Sequence, residues 1–363
     1  MANNETEQRL YVGTYTSGDS KSKGIYLLKF DPVSGGLSEP KLVAATDEPS
    51  FLAVSRDGKY LYAANETLKY EGKDAGYVSA FAIDRKTGDL KFLNRQPSHG
   101  AAPCHVAVTD DGKLVLVANY LGGSVAAIPV HPDGSLKPAS DIKQHFGKGP
   151  HNRQEAPHAH SVVLDEANKY VFVNDLGADR VVAYSVDSSS GKLTANSENY
   201  STKSGAGPRH FKFHPNGRFA FLNNELDMTV TSLAYDASRG KLREIQTVST
   251  LPAGFKITRA DSVADIRVSP NGRFLFVSNR GHDSIASYII HANDGTLTPI
   301  EFTKTGGKTP RNFALDPTGS FLLAANQNSD SITVFRIDNK TGRLSSAGVA
   351  ASVPRPVCLV FAN

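Results

Sequence analysis

Tryptophan is absent from the 363 residues, and cysteine occurs twice, at Cys104 and Cys358. Two isolated cysteines cannot staple a disulfide scaffold, so they read as reduced, buried thiols. No apolar run is long enough to span a bilayer, and the polar, acidic start MANNETEQR lacks the apolar core of a signal peptide. A soluble cytoplasmic protein is therefore expected. Lysine and arginine number 40 against 36 aspartates and glutamates, and they form no block, so neither nucleic acid nor a membrane is an expected partner. No sustained 3.6-residue periodicity is present, which predicts little helix. There is no Gly-x-Ser-x-Gly elbow to present a serine nucleophile. Gly307-Lys308-Thr309 has the tail of a phosphate loop. However, Phe302 stands where that loop needs its first glycine, and Pro310 opens a strand rather than a helix.

What the chain does contain is a repeat. Residues 207–225, GPRHFKFHPNGRFAFLNNE, read as two short apolar strands joined by a turn at Pro215-Asn216-Gly217. From His210 the turn residue Asn216 lies six positions on, and the closing Asn224 lies fourteen on. The same offsets run from Phe51 (Asp57, Asn65), His105 (Asp111, Asn119), His160 (Glu166, Asn174), Asp265 (Asn271, Asn279) and Asn312 (Thr318, Asn326). Periodicity of this kind outranks local readings. The second strands, such as YLYAAN, LVLVAN and FLFVSN, are apolar throughout, as expected for strands covered on both faces.

A second marker gives the count. After each hairpin comes a third strand and a polar turn ending in leucine, at Leu37, Leu90, Leu136, Leu193, Leu242, Leu297 and Leu344. These are seven leucines against six intact hairpins. The missing hairpin is split between the chain ends: residues 10–15 (LYVGTY) resemble a second strand, and residues 356–361 (PVCLVF) a first strand. The expected fold is all-β, a seven-bladed β-propeller of four-stranded blades. Its C-terminal strand pairs into the N-terminal blade and so removes the open sheet edges. One domain over residues 9–363 is expected, with 1–8 as a flexible tail, and the first blade is expected to use 10–15, 24–30 and 38–44. Two stretches depart from the repeat, residues 65–76 and the loop 144–157 (QHFGKGPHNRQEAP). The latter is either functional or a solvated spacer.

The register predicts two rings of equivalent positions at one mouth. The first is Phe51, His105, His160, His210, Asp265, Asn312 and Cys358. The second, just after the closing Asn, is Tyr15, Glu66, Tyr120, Asp175, Glu225, Arg280 and Gln327. Ionisable groups of both signs converging on an opening mark a candidate site. Arg209 and Arg311 precede the marker in their blades, and Arg280 joins them from the second ring. Three guanidiniums suit a small anionic substrate, carboxylate or phosphate. His105, His210, Asp265, Asn312 and Gln327 are expected to add substrate contacts. His158 and His160 alternate on one strand, but no further ligands complete a metal site and the arginines repel a cation, so no metal is expected. Either imidazole suits a general base or a substrate contact.

The runs YVGTYTS, PHAHSV, GPRHFKFHPNGRFAFLNNE, SPNGRFLFVSNR and PRNFALDPTGSFLLAANQ resemble the lactonase family of seven-bladed β-propellers. The resemblance extends from residue 10 to the C-terminus, and the lack of tryptophan sets the chain apart from Trp-Asp repeat propellers. The family includes propeller-type 6-phosphogluconolactonases and the carboxy-cis,cis-muconate cyclase. The resemblance implies an active site of one His, two Arg and one Glu, matching His160, Arg209, Arg280 and Glu225, with His158 competing for the histidine role. It also implies hydrolysis of a sugar lactone, foremost 6-phosphogluconolactone, in carbohydrate metabolism and without a cofactor. The alternatives are a lactonising cyclase acting on a diacid, or a non-catalytic propeller that binds a ligand or a protein. Oligomeric state is not legible.

Overall fold

In the computed structural model, which describes residues 7–362, seven antiparallel sheets form a closed ring. Six blades are continuous in sequence. Blade 2, for example, uses Pro49–Val54, Tyr60–Asn65, Tyr77–Ile83 and Leu90–Pro97 from the axis outward, and blade 5 uses Pro208–Phe213, Phe219–Asn224, Thr229–Asp236 and Lys241–Ser249. Blade 1 is the composite: Pro356–Ala362 lies innermost and pairs with Gln8–Thr14, followed by Gly24–Phe30 and Lys41–Ala45. The closure pairs the expected strands, with Leu10 opposite Phe361 and Val12 opposite Leu359. Among the described residues the only helical element is the single turn Gln327–Ser329.

Two expected boundaries move. Residues 1–6 of the expected tail lie outside the described residues, whereas Gln8 is already paired with Phe30 in the first strand. The last strand of blade 1 begins at Lys41 rather than at residue 38, because Pro40 has no N–H to give to the ladder.

The second strands are buried end to end, as in Leu114–Asn119, Tyr170–Asp175 and Phe219–Asn224. Each faces a neighbouring blade on both sides, and the core is a series of clusters between blades. The cluster between blades 4 and 5 packs Phe172 on Phe211, ring centres 5.7 Å apart, with Leu222 and Leu233. The leucine-ending turns lock blade to blade. Gly35 and Gly295 sit at φ 82° and 76°, where a Cβ would lie 2.5–2.6 Å from the rings of Phe321 and Phe219 in the adjacent blade. Only glycine fits both the turn and the contact.

The hairpin turns behave as the repeat implies: Gly217 N donates to His214 O at 2.9 Å, and Arg218 N to Asn216 Oδ1. Blade 4 corrects the repeat. There Asp165 N pairs with Tyr170 O, and Ser161, not His160, stands opposite Asn174. The equivalents of His210, Asn224 and Glu225 are therefore Ser161, Asp175 and Leu176. His160 falls one place earlier, level with Arg209. That place is a β-bulge in most blades: the ladder skips a residue between Pro49 and Phe51, Pro103 and His105, Ala159 and Ser161, Pro208 and His210, and Pro310 and Asn312. The skipped residues are Ser50, Cys104, His160, Arg209 and Arg311. A bulge re-aims the extra side chain relative to strict alternation, which gives this ring of residues its own direction.

Candidate active site

The mouth at which the inner strands begin is organised around Glu225. It follows the second strand of blade 5, and 1 % of its surface is exposed. Arg209 Nε lies 2.7 Å from Oε2, Arg280 Nη2 2.8 Å from Oε1 and Arg153 Nη2 2.7 Å from Oε1. These are close charge pairs rather than aligned hydrogen bonds: both carboxylate oxygens and Arg209 Nε lack a hydrogen-bond partner among the described residues. Burial alone would raise the Glu225 pKa, but Arg280, Arg209 and Arg153 together hold it well below the usual carboxylate range. Arg209 is itself fixed by donating to the Ala264 carbonyl, and Arg280 donates to Val263 O at 3.0 Å.

His160 is the neighbouring titratable group, its Nε2 3.8 Å from Glu225 Oε2. Its ring packs edge-on to Tyr120 and His210, at 5.4 and 5.3 Å. Burial, reinforced by Arg209, pushes its pKa well below the ordinary histidine value. The imidazole is therefore neutral and able to accept a proton. His158 is placed differently. Its Nδ1 donates to the Tyr120 carbonyl at 3.0 Å, its Nε2 stands 3.2 Å from Glu155 Oε1, and the ring stacks flat on Tyr120. Both nitrogens are occupied, so of the two candidates only His160 faces Glu225 with free capacity.

Arg311, from the bulge of blade 7, lies over the Tyr15 ring at 5.2 Å and makes no hydrogen bond or ion pair with a described residue. Burial pulls its pKa down, but Tyr15, Glu66 and Glu225 outweigh it, so the guanidinium stays charged. Tyr15 donates to Glu66 Oε2 at 2.9 Å. With Gln327, Glu48 and Arg355 these two line a cavity of about 710 Å³ at this mouth.

Other expected contacts fall elsewhere. His210 Nδ1 donates to Asp265 Oδ1 at 2.8 Å, and Asn312 Nδ2 to Asp265 Oδ2 at 2.6 Å. Asn312 Oδ1 accepts from Leu359 N. These groups satisfy one another and cross-brace the channel below Glu225. His105 stacks on Phe51 and lines the opposite mouth. Asp175 is not at the mouth at all. It accepts from His145 Nδ1 and from the backbone N–H groups of His158 and Ala178, which tethers the 144–157 loop. Among the described residues no group of three His, Cys, Asp or Glu side chains is placed to hold a metal.

One site residue escaped the repeat. Arg153 comes from the long loop, which Gln154 pins by donating to Leu176 O and Asp179 Oδ1, both at 2.7 Å. That pin carries Arg153 over the mouth to Glu225 and to the Tyr120 hydroxyl, 3.2 Å away. Its only sequence signal was the length of a loop that departs from the period.

A closed seven-bladed propeller with titratable groups gathered at one mouth is the class of protein these features define. The chain belongs to the lactonase family of seven-bladed β-propellers: the family model described as "Lactonase, 7-bladed beta-propeller" matches residues 9–361. It is 42% identical over 351 residues to a Bacillus subtilis protein named 6-phosphogluconolactonase, covering 97% of each chain. A Formosa agariphila protein of the same name is 36% identical, covering 92% of this chain and 94% of the other. The solved structure of a Pseudomonas aeruginosa periplasmic gluconolactonase superposes with a TM-score of 0.92 at 35% identity, covering 99% of both chains. The family and these relatives mark the chain as a lactonase. Among the described residues no helix is long and apolar enough to cross a membrane.

Proposed function

We propose that this chain hydrolyses 6-phosphogluconolactone to 6-phosphogluconate at the Glu225 mouth. The observation that carries the reading is a neutral His160 beside a carboxylate that three arginines keep ionised, with Arg311 left unpaired. Water adds to the lactone carbonyl and gives its proton to His160 Nε2. The ring C–O bond then breaks, and the proton passes to the departing alkoxide. Negative charge grows on the carbonyl oxygen as water adds, and the guanidiniums of this mouth offset it. Arg311 is the guanidinium with donors to spare, and it anchors the substrate phosphate as a forked contact. Glu225 is a positioning residue. It gathers Arg209, Arg280 and Arg153, and by staying ionised it favours the imidazolium that forms on His160.

The names of two relatives support the phosphorylated substrate. The cyclising alternative needs a resident acid to protonate carbon, and near neutral pH Glu225 is ionised and His160 is a neutral imidazole, so neither carries an acidic proton. A phosphorylated sugar and two unpaired buried thiols fit a cytoplasmic setting, which cell fractionation checks. The test of function is lactone opening by purified protein, read as acid release, with phosphorylated and unphosphorylated gluconolactone side by side. Acceleration of the phosphorylated lactone at least tenfold beyond the neutral one is expected. No acceleration over the spontaneous reaction overturns the reading.

A further inference from the structure

The channel has a second opening, at the end that carries the hairpin turns. Two residues after the ring of markers, the inner strands present Ala53, Ala107, Val163, Lys212, Arg267 and Val360 to a cavity of about 670 Å³. Four of these six positions are small or aliphatic. The other two, in adjacent blades 5 and 6, are cations. Period-two alternation leaves both side chains on the channel face of their strands. Arg267 is neutralised: its Nη2 is 2.9 Å from Asp265 Oδ2, and its Nη1 donates to Oδ1 at 3.0 Å. Asp265 also accepts from His210 and Asn312 and has no capacity left for a second cation. Lys212 makes no hydrogen bond or ion pair with any described residue.

Two cations side by side in a partly enclosed cavity repel each other, and a lone carboxylate offsets one of them. His105 adds a neutral donor. Its Nδ1 accepts from Val162 N at 3.4 Å, which leaves the proton on Nε2, and Nε2 has no described partner. The rim acids do not answer Lys212. Asp110 pairs with Arg56, and Asp165 accepts from Lys169 N, Tyr170 N and the Tyr235 hydroxyl. Glu166 is exposed on the turn.

We infer that this lower mouth is a second anion site, built by Lys212, Arg267 and His105, for phosphate or the phosphate end of a small ester. The volume falls in the range of small-molecule sites, and the inference does not rest on the reaction proposed for the upper mouth. Burial, and next the charge of Arg267, bring the Lys212 pKa down to about 8 against the opposing pull of Asp265, so the ammonium is present at neutral pH without an ion-pair partner of its own.

Calorimetric titration of the whole protein with inorganic phosphate tests this. Two classes of site are expected at pH 7. Lys212→Met should weaken one of them roughly ten- to a hundredfold, the loss of one charge-assisted contact, and Lys212→Arg should keep it within a few-fold. Arg311→Gln should remove the other class and leave this one unchanged. Glycerol 3-phosphate run beside phosphate identifies the source: tighter binding of the ester at the Lys212-dependent class marks an ester site, and equal binding a free-phosphate site. If Lys212→Met binds phosphate as the parent does, or if Arg311→Gln abolishes all binding, the inference fails. Should the Met variant not fold, sulfate supplies the reading on the parent protein, since its own charge is constant. Its binding at this class should weaken between pH 7 and 9.5 as Lys212 loses its proton, and constant binding across that range overturns the site.

Discussion

Arg209 Nε and Glu225 Oε2 face each other at 2.7 Å with 2 % and 1 % of their side-chain surfaces exposed. Neither group is reached by bulk water, so each depends on the other for its charged state. Breaking a buried pair by removing one partner costs about 3–5 kcal/mol, because the remaining charge is stranded. Glu225→Gln strands three guanidiniums around a neutral amide. It should lower unfolding free energy by about that amount in urea melts, as well as slowing turnover. A variant as stable as the parent would show that the cluster contributes function alone.

Arg153 provides the contrast. Its side chain is 42 % exposed and comes from a loop. Arg153→Ala should change stability by less than about 1 kcal/mol, as exposed pairs do, yet reduce kcat/KM. Melting curves and kinetics on the same preparation separate the two effects, and an unchanged kcat/KM would make the loop a spacer.

His160→Asn should lower kcat by about 10²–10⁴-fold, the range for a general base, with KM little altered. Because burial and Arg209 depress the His160 pKa, the acid limb of the rate profile should fall well below pH 6.5 rather than near it. His158→Asn, whose ring nitrogens are engaged with Tyr120 and Glu155, should leave that limb in place. If the limb moves with His158 instead, the roles are reversed.

Arg311→Gln should raise KM for the phosphorylated lactone roughly ten- to a hundredfold and leave an unphosphorylated lactone nearly untouched. Arg311→Lys should rescue in part, because an ammonium cannot form the forked contact. Equal losses on both lactones would mean that Arg311 acts on the carbonyl end.

Three histidines, His105, His160 and His210, are kept neutral chiefly by burial. An unfolded chain takes up protons on them near pH 6.5, whereas the native ring does not. The unfolded state therefore gains protons first as pH falls, and native stability drops below pH 6.5 by about 1.4 kcal/mol per pH unit for each histidine. Urea midpoints measured from pH 7.5 to 5 check the sign, and midpoints that rise with acid would contradict it.

Much of this molecule is legible from spacing alone. Hairpin period, blade number and the split blade at the termini all follow from offsets between Asn, Gly and Leu positions. The same offsets bring Arg209, Glu225 and Arg280 to one mouth, whereas His160 lies at that mouth one position away from the place the offsets give it. What escaped has identifiable causes. Blade 4 slips by one because its turn, Asp165 to Tyr170, lacks the glycine that marks its neighbours' turns at Gly112 and Gly217, with Asn168 in that place, and Asn174-Asp175 offers two residues for one role. The bulges leave no trace in periodicity, so the marker ring and the ring before it looked like a single mouth. In the structure Arg209 and Arg311 turn to the upper opening, while His105, Lys212 and Arg267 line the lower one. Arg153 belongs to no repeat and could only be suspected from loop length.

The pairing of Arg9 with Ala362 has a consequence during synthesis. The strand Gln8–Thr14 leaves the ribosome long before its inner partner, Pro356–Ala362, is made. Throughout translation the nascent chain therefore carries an unpaired edge at blade 1, a template for pairing with another chain. Blades 2 to 7 gather with local contacts, and the seam is the contact of longest sequence separation and so among the slowest to form. A chain truncated before residue 356 should emerge with six finished blades and one permanently open edge. Its fate is then self-association, read as concentration-dependent light scattering, rather than a stable smaller ring.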